Sequence, residues 1–187
     1  MRHIPITWAN LCTLLRVALL PYIWYAIYTG AWGIALAVFM LAALSDIADG
    51  WCARALHEET EFGRYLDPIV DKVMIISCYS LFAFHSHMLM LPQWFLYTVV
   101  VKEMLILIAG VYIWGIGCTH RIYPACVGKG AMVLQVAFVM WLFISLTCSW
   151  HDIGHITLGL MWLTTFGIVA ALLHYIIRCI QAMGVSL

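Results

Sequence analysis

The stretch Val17-Ala-Leu-Leu-Pro21-Tyr-Ile-Trp-Tyr-Ala-Ile-Tyr-Thr-Gly30-Ala-Trp-Gly33-Ile-Ala-Leu-Ala-Val-Phe-Met-Leu-Ala-Ala-Leu-Ser45 contains no Asp, Glu, Lys or Arg. A helix that crosses a membrane needs about 20 apolar residues. This run is too long for one such helix, and Gly30 and Gly33 punctuate its middle. It therefore reads as two spans, residues 11–28 and 31–49, joined by a tight turn.

The rest of the chain follows the same pattern. Of its 187 residues, 65% are hydrophobic and 10% are charged. A soluble globular chain carries roughly 25% charged residues, so this one has too few to cover a surface facing water. A soluble enzyme, a disordered tail and a nucleic-acid-binding domain are excluded, and no nucleic-acid partner is expected. Strand-type alternation is absent, which excludes a membrane barrel. Residues 73–101 are again free of those charges, with His85, His87 and Pro92 as the break. Further spans are expected at residues 67–84, 93–116, 129–149 and 155–181. The expectation is an all-α membrane protein, a bundle of six transmembrane helices forming one domain over residues 1–187.

The net charge is zero, so the charge distribution carries the information. None of the nine basic residues falls in the turns near Gly30, His85–Pro92 or Trp150–Gly154. Arg2, Arg54, Arg64, Arg121 and Arg178 all fall on the other side, which places both termini in the cytoplasm by the positive-inside rule. Trp32, Trp94 and Trp150 sit near the opposite ends, as interfacial aromatics do. The seven cysteines include no CxxC pair and suggest no disulfide framework. The first apolar run is long and carries Arg16 near its start, which argues against a cleaved signal peptide.

Asp46, Asp49, Glu58, Glu59, Glu61, Asp67 and Asp71 concentrate the acidic charge in one short segment. Glu58, Glu59 and Glu61 suit a solvated loop. The four aspartates lie against helix-length apolar sequence, where an ion is costly. Asp46 and Asp49 are three apart, and Asp67 and Asp71 are four apart, so each pair shares one helical face. Two compensations are open. Arg54 and Arg64 can pair with some of the carboxylates, or hard divalent cations, Mg²⁺ or Mn²⁺, can bind the all-oxygen set.

The full spacing is Asp46-x-x-Asp49-Gly50-x-x-Ala53-Arg54, eight residues, Gly63-x-x-x-Asp67-x-x-x-Asp71. It resembles, at every specified position, the signature of the CDP-alcohol phosphatidyltransferase family, and the resemblance covers most of the chain. It implies a membrane enzyme that transfers a phosphatidyl group from CDP-diacylglycerol to an alcohol acceptor and releases CMP. Two cations held by Asp46, Asp49, Asp67 and Asp71 would clamp the diphosphate, as in two-metal phosphoryl transfer. The family match makes Asp71 the general base and puts Gly50, Ala53, Arg54 and Gly63 around the nucleotide. A glycine in an apolar helix serves helix packing equally well, and Arg54 can instead pair with an aspartate. Pro68 fits near a helix start. The resemblance also implies membrane lipids and a second copy of the chain as partners, and a bacterial inner membrane with the site facing the cytoplasm.

Asn10-Leu-Cys-Thr13-Leu-Leu-Arg16, then Pro21, is similar to the opening of bacterial phosphatidylglycerophosphate synthases. Asn10 and Thr13 can bond the nucleotide or cap the helix. Arg16 can snorkel to headgroups. Lys102-Glu103 lies inside the fourth span, either as a functional ion or as a pair steadying the bundle. Gly128-Lys129-Gly130-Ala131-Met132-Val133-Leu134-Gln135 resembles the G-K-x-K-T-x-x-Q stretch of those synthases, with Ala131 and Met132 replacing the second lysine and the threonine. The implied acceptor is glycerol 3-phosphate, with Lys102, Arg121 and Lys129 available for its phosphate. The missing lysine keeps phosphatidylglycerol, inositol or inositol phosphate open as acceptors. His85, His87, His151 and His155 read as surface histidines, and His57 and His120 as loop residues near the site.

Two other function classes compete. A divalent-cation or proton-coupled transporter would need polar residues leading to the far side, and the acidic residues gather at one end only. An inactive membrane scaffold would not need the whole signature.

Overall fold

The computed structural model describes the backbone of residues 8–56, 61–84, 91–115, 126–148 and 154–182. Side-chain surroundings are described for residues 14–45, 69–84, 91–108, 128–148 and 154–177. The described residues form α1 (Trp8–Tyr28), α2 (Trp32–Leu56), α3 (Glu61–Phe84), α4 (Gln93–Gly115), α5 (Cys126–Thr147) and α6 (Gly154–Ala182). The fold is all-helical, as the apolar runs require.

The turn between α1 and α2 follows from Gly30. Its φ is +72°, a left-handed conformation that costs a residue with a Cβ. Gly30 N–H donates to Ile27 O at 3.1 Å, and Ala31 N–H donates to Ala26 O at 2.8 Å. These two bonds form a Schellman motif that closes α1. Thr29 Oγ1 adds bonds to Tyr25 O and Ala26 O.

The largest departures from the expected bounds are in two helices. The second continues past Asp49 to Leu56, and the third begins at Glu61 rather than near Asp67. Pro68 therefore lies inside α3 and not at its start. In each case a helix extends beyond its apolar run, carrying the signature residues past that run. Apolar length reports burial in lipid, not where the backbone hydrogen bonds stop.

Aromatic rings tie the helices together. Phe39 of α2 and Phe82 of α3 both meet Phe143 of α5, at ring-centre distances of 5.5 Å and 5.0 Å. Tyr79 of α3, Phe95 of α4 and Phe138 of α5 form a second triangle, with separations from 5.3 to 6.1 Å. Trp94 of α4 lies 5.3 Å from Trp162 of α6. Gly167 lets α6 approach α5, because a Cβ there would come within 2.8 Å of Leu134 Cδ1.

Polarity runs opposite to that of a soluble bundle. Trp162, Phe166 and Leu173 of α6 and Tyr25 and Tyr28 of α1 are exposed, while Arg16, Lys72, Lys102, Glu103 and Gln135 are buried. Such an outer surface suits lipid, and ions in membrane helices face the bundle interior. Residues 128–147 of α5 and 154–177 of α6 are each long and apolar enough to cross a membrane. Shorter apolar segments cover residues 14–28 and 32–45.

Candidate active site

Asp46 and Asp49 lie on α2, and Asp67 and Asp71 lie on α3. The stacked rings of Trp32 and Phe82, 6.2 Å apart, fix the start of α2 beside the end of α3. Asp46 and Asp49 lie 14 and 17 residues along α2 from Trp32, and Asp71 and Asp67 lie 11 and 15 residues along α3 from Phe82. The side chains of Asp46, Asp49 and Asp67 lie outside the described residues, as do those of Asn10, Thr13, Gly50, Ala53, Arg54 and Gly63. So do Arg121, His57, His120, His85, His87 and His151; His155 is exposed at the start of α6.

Asp71 is described in full. Its carboxylate, 18% exposed, is ion-paired and hydrogen-bonded with Arg16 of α1, which is 1% exposed. Arg16 therefore does not snorkel to headgroups. Its guanidinium stays in the bundle because a buried carboxylate there needs a counter-charge, and the fork of N–H donors matches it.

A buried polar chain that starts at Lys72, next in sequence to Asp71, links three helices. Lys72 Nζ of α3 is 3.1 Å from Glu103 Oε2 of α4. Lys102 Nζ of α4 is 2.5 Å from Glu103 Oε1. The same ammonium donates to Gln135 Oε1 of α5 at 2.7 Å. Tyr79 OH of α3 donates to the backbone carbonyl of Gln135 at 2.8 Å. Lys102, Glu103 and Gln135 are at most 3% exposed, and Lys72 is 9% exposed.

Glu103 serves two lysines, one with each oxygen. Two buried ammonium groups on one carboxylate leave N–H donors over, and a buried donor without an acceptor is costly. Lys102 and Glu103, open in the sequence as either a functional ion or a pair steadying the bundle, are joined to Lys72 and Gln135.

Lys129 is exposed in the first turns of α5 and is not joined to this chain among the described residues. Ala131, where the resembled stretch carries its second lysine, is 3% exposed. Sequence reading missed Lys72, Gln135 and the true place of Arg16. A signal for Lys72 existed, since it directly follows Asp71 and an ion deep in an apolar helix is a functional candidate. Gln135 carried a similar signal as a lone amide in an apolar run.

The arrangement offers a carboxylate held by an arginine, a buried chain in which two lysines share one carboxylate, and three further aspartates on α2 and α3. That combination suits a reaction of a charged phosphate ester with a group that must lose a proton.

Comparison with known proteins agrees. The family model described as CDP-alcohol phosphatidyltransferase matches residues 6–176. A protein of Pectobacterium atrosepticum named CDP-diacylglycerol–glycerol-3-phosphate 3-phosphatidyltransferase is 35% identical over 140 residues, 71% of this chain and 75% of that one. A protein of the same name from Salmonella choleraesuis is 30% identical over 138 residues, 71% of this chain and 74% of that one. A Mycobacterium tuberculosis protein named "Putative cardiolipin synthase" is 27% identical over 158 residues, 78% of this chain and 73% of that one.

Proposed function

The chain belongs to the CDP-alcohol phosphatidyltransferase family, and on that premise we propose that it moves the phosphatidyl group of CDP-diacylglycerol to a hydroxyl of glycerol 3-phosphate and releases CMP. The observation that carries this reading is the position of Asp71. It is held by buried Arg16 and lies next in sequence to Lys72, which opens the chain through Glu103 to Lys102 and Gln135.

Asp71 takes the proton from the acceptor hydroxyl. The freed oxygen attacks the phosphatidyl phosphorus and forms the new ester bond. The bond from that phosphorus to the CMP oxygen breaks, and CMP leaves with its electron pair. Arg16 keeps the Asp71 side chain in place from α1. Gly50, Ala53, Arg54 and Gly63, with Asn10 and Thr13, surround the nucleotide. Lys102, Arg121 and Lys129 receive the phosphate of the acceptor.

The residues present fit divalent cations by their donor chemistry. Asp46, Asp49, Asp67 and Asp71 offer only carboxylate oxygens, the set that hard ions prefer. These four would hold Mg²⁺ or Mn²⁺, two ions in all, which neutralise charge on the diphosphate and on departing CMP.

Six helices cross the membrane, with both termini and the aspartates at the cytoplasmic side of a bacterial inner membrane. The lipid substrate enters from the bilayer, and a second copy of the chain is its partner.

Phosphatidylglycerol is the second acceptor reading. It is favoured by Ala131, a buried alanine where the glycerol-3-phosphate pattern has a lysine, and by the name of the mycobacterial relative. Purified protein supplied with CDP-diacylglycerol and each acceptor separately, with lipid products weighed by mass spectrometry, decides between them. Phosphatidylglycerophosphate supports the first reading and cardiolipin the second.

A further inference from the structure

Gln135 has an exposure of 0%, and its amide nitrogen Nε2 has no hydrogen-bond partner. Lys102 fixes which way the amide faces. An ammonium is donor-only, so the oxygen of the amide must face it. The 2.7 Å bond from Lys102 Nζ to Gln135 Oε1 sets that orientation. The two N–H groups of Nε2 are then left over in the interior, where an unmade hydrogen bond is expensive.

Lys102 has spent two of its three N–H donors, on Glu103 Oε1 and on Gln135 Oε1. Its neighbour Lys72 shares the same Glu103. The Lys102–Gln135 edge therefore presents donors beside two ammonium groups that share one carboxylate. A group that satisfies such an edge is rich in acceptors and negatively charged. A neutral hydroxyl would meet the donors and leave the charge.

We propose that Gln135 is a specificity residue, and that its Nε2 donates to a phosphate oxygen of the acceptor alcohol while Lys102 supplies the adjacent charge. This inference rests on the phosphatidyltransfer reading and deepens it. It extends the acceptor site to a residue on α5 and makes an acceptor phosphate the recognised group. That phosphate is a monoester in glycerol 3-phosphate and a diester in phosphatidylglycerol. The same inference excludes a neutral polyol such as myo-inositol as the preferred acceptor.

The test uses purified full-length protein with CDP-diacylglycerol and three acceptors: glycerol 3-phosphate, phosphatidylglycerol and myo-inositol. Gln135→Glu keeps the shape and the oxygen that Lys102 needs, and places a carboxylate against the phosphate. Its KM for the phosphorylated acceptor should rise by roughly 10- to 100-fold, the value of a hydrogen bond to a charged group, while its KM for CDP-diacylglycerol stays within threefold of wild type. Gln135→Met, of similar length, should give the same split if Gln135→Glu does not fold. Calorimetric binding of glycerol 3-phosphate or phosphatidylglycerol to both proteins reads the same loss without turnover.

If wild type uses either phosphorylated acceptor and the variants keep its KM, the inference fails while the phosphatidyltransfer reading stands. If wild type prefers myo-inositol, both the inference and the acceptor reading fail. If wild type releases no CMP with any acceptor, the phosphatidyltransfer reading fails. Loss of phosphate binding in the calorimeter then still upholds the site, and unchanged binding overturns it.

Discussion

Arg16 on α1 and Asp71 on α3 are 55 residues apart in sequence and form an ion pair inside the bundle, with the arginine 1% exposed. This contact ties the first helix to the proposed base. Arg16→Met should leave the Asp71 carboxylate without that counter-charge, at a cost of about 2–3 kcal/mol for a partly buried pair. Activity should drop by at least tenfold, and Arg16→Lys should restore part of it. Thermal unfolding in detergent and initial rates of CMP release check the two effects together.

Glu103 is shared by Lys72 and Lys102. Glu103→Gln should strand two buried ammonium groups and destabilise the bundle by about 3–5 kcal/mol. Lys72→Met on the same background should recover part of that loss, because one stranded charge is gone. A double-mutant cycle on the melting temperature measures the coupling. Equal and additive losses would show that the lysines do not share the carboxylate.

Gly30 holds a φ of +72° in the turn from α1 to α2. An alanine there meets no steric block, since the nearest side-chain atom is 3.9 Å from the added Cβ. The cost is conformational, about 1–2 kcal/mol. Gly30→Ala should lower the melting temperature and leave KM for both substrates unchanged.

The proposed six crossings would put both ends of the chain on one side. A reporter fused after Leu187 should read cytoplasmic, and a reporter in the turn at Gly30 should read the opposite side. A C-terminal reporter on the far side would require an odd number of crossings.

Much of this was legible in the sequence, for physical reasons. The charge-free run from Val17 to Ser45 forced two helices, and Gly30 marked the turn because no other residue takes its φ without cost. The spacing of Asp46, Asp49, Asp67 and Asp71 put them on helices, and α2 and α3 carry them. The buried chain was not legible. Lys72, Glu103 and Gln135 come from three helices, and their contacts depend on packing angles that apolar periodicity does not encode. Arg16 misled for a related reason. A lone arginine near a helix start snorkels by default, and only the position of Asp71 on another helix holds it inside. Helix ends also escaped, because α2 and α3 continue beyond their apolar runs into the signature residues.

The four aspartates should divide their work. Asp71→Asn should keep CDP-diacylglycerol binding in Mg²⁺ or Mn²⁺ and lose turnover by roughly 10²- to 10⁴-fold, the scale of general-base catalysis. Asp46→Asn should weaken metal-dependent nucleotide binding as well. Substrate affinity and turnover measured across a metal titration separate the roles. Recovery of Asp71→Asn to wild-type turnover at high metal would make that carboxylate a ligand only.

The central claim is metal-dependent phosphatidyl transfer, and the most direct measurement is CMP release from CDP-diacylglycerol and glycerol 3-phosphate, followed beside the lipid product. The account predicts one CMP for each phosphatidylglycerophosphate formed in Mg²⁺ or Mn²⁺, and neither product after chelation. CMP release that persists at full rate in chelator, or that requires no alcohol acceptor, would contradict it.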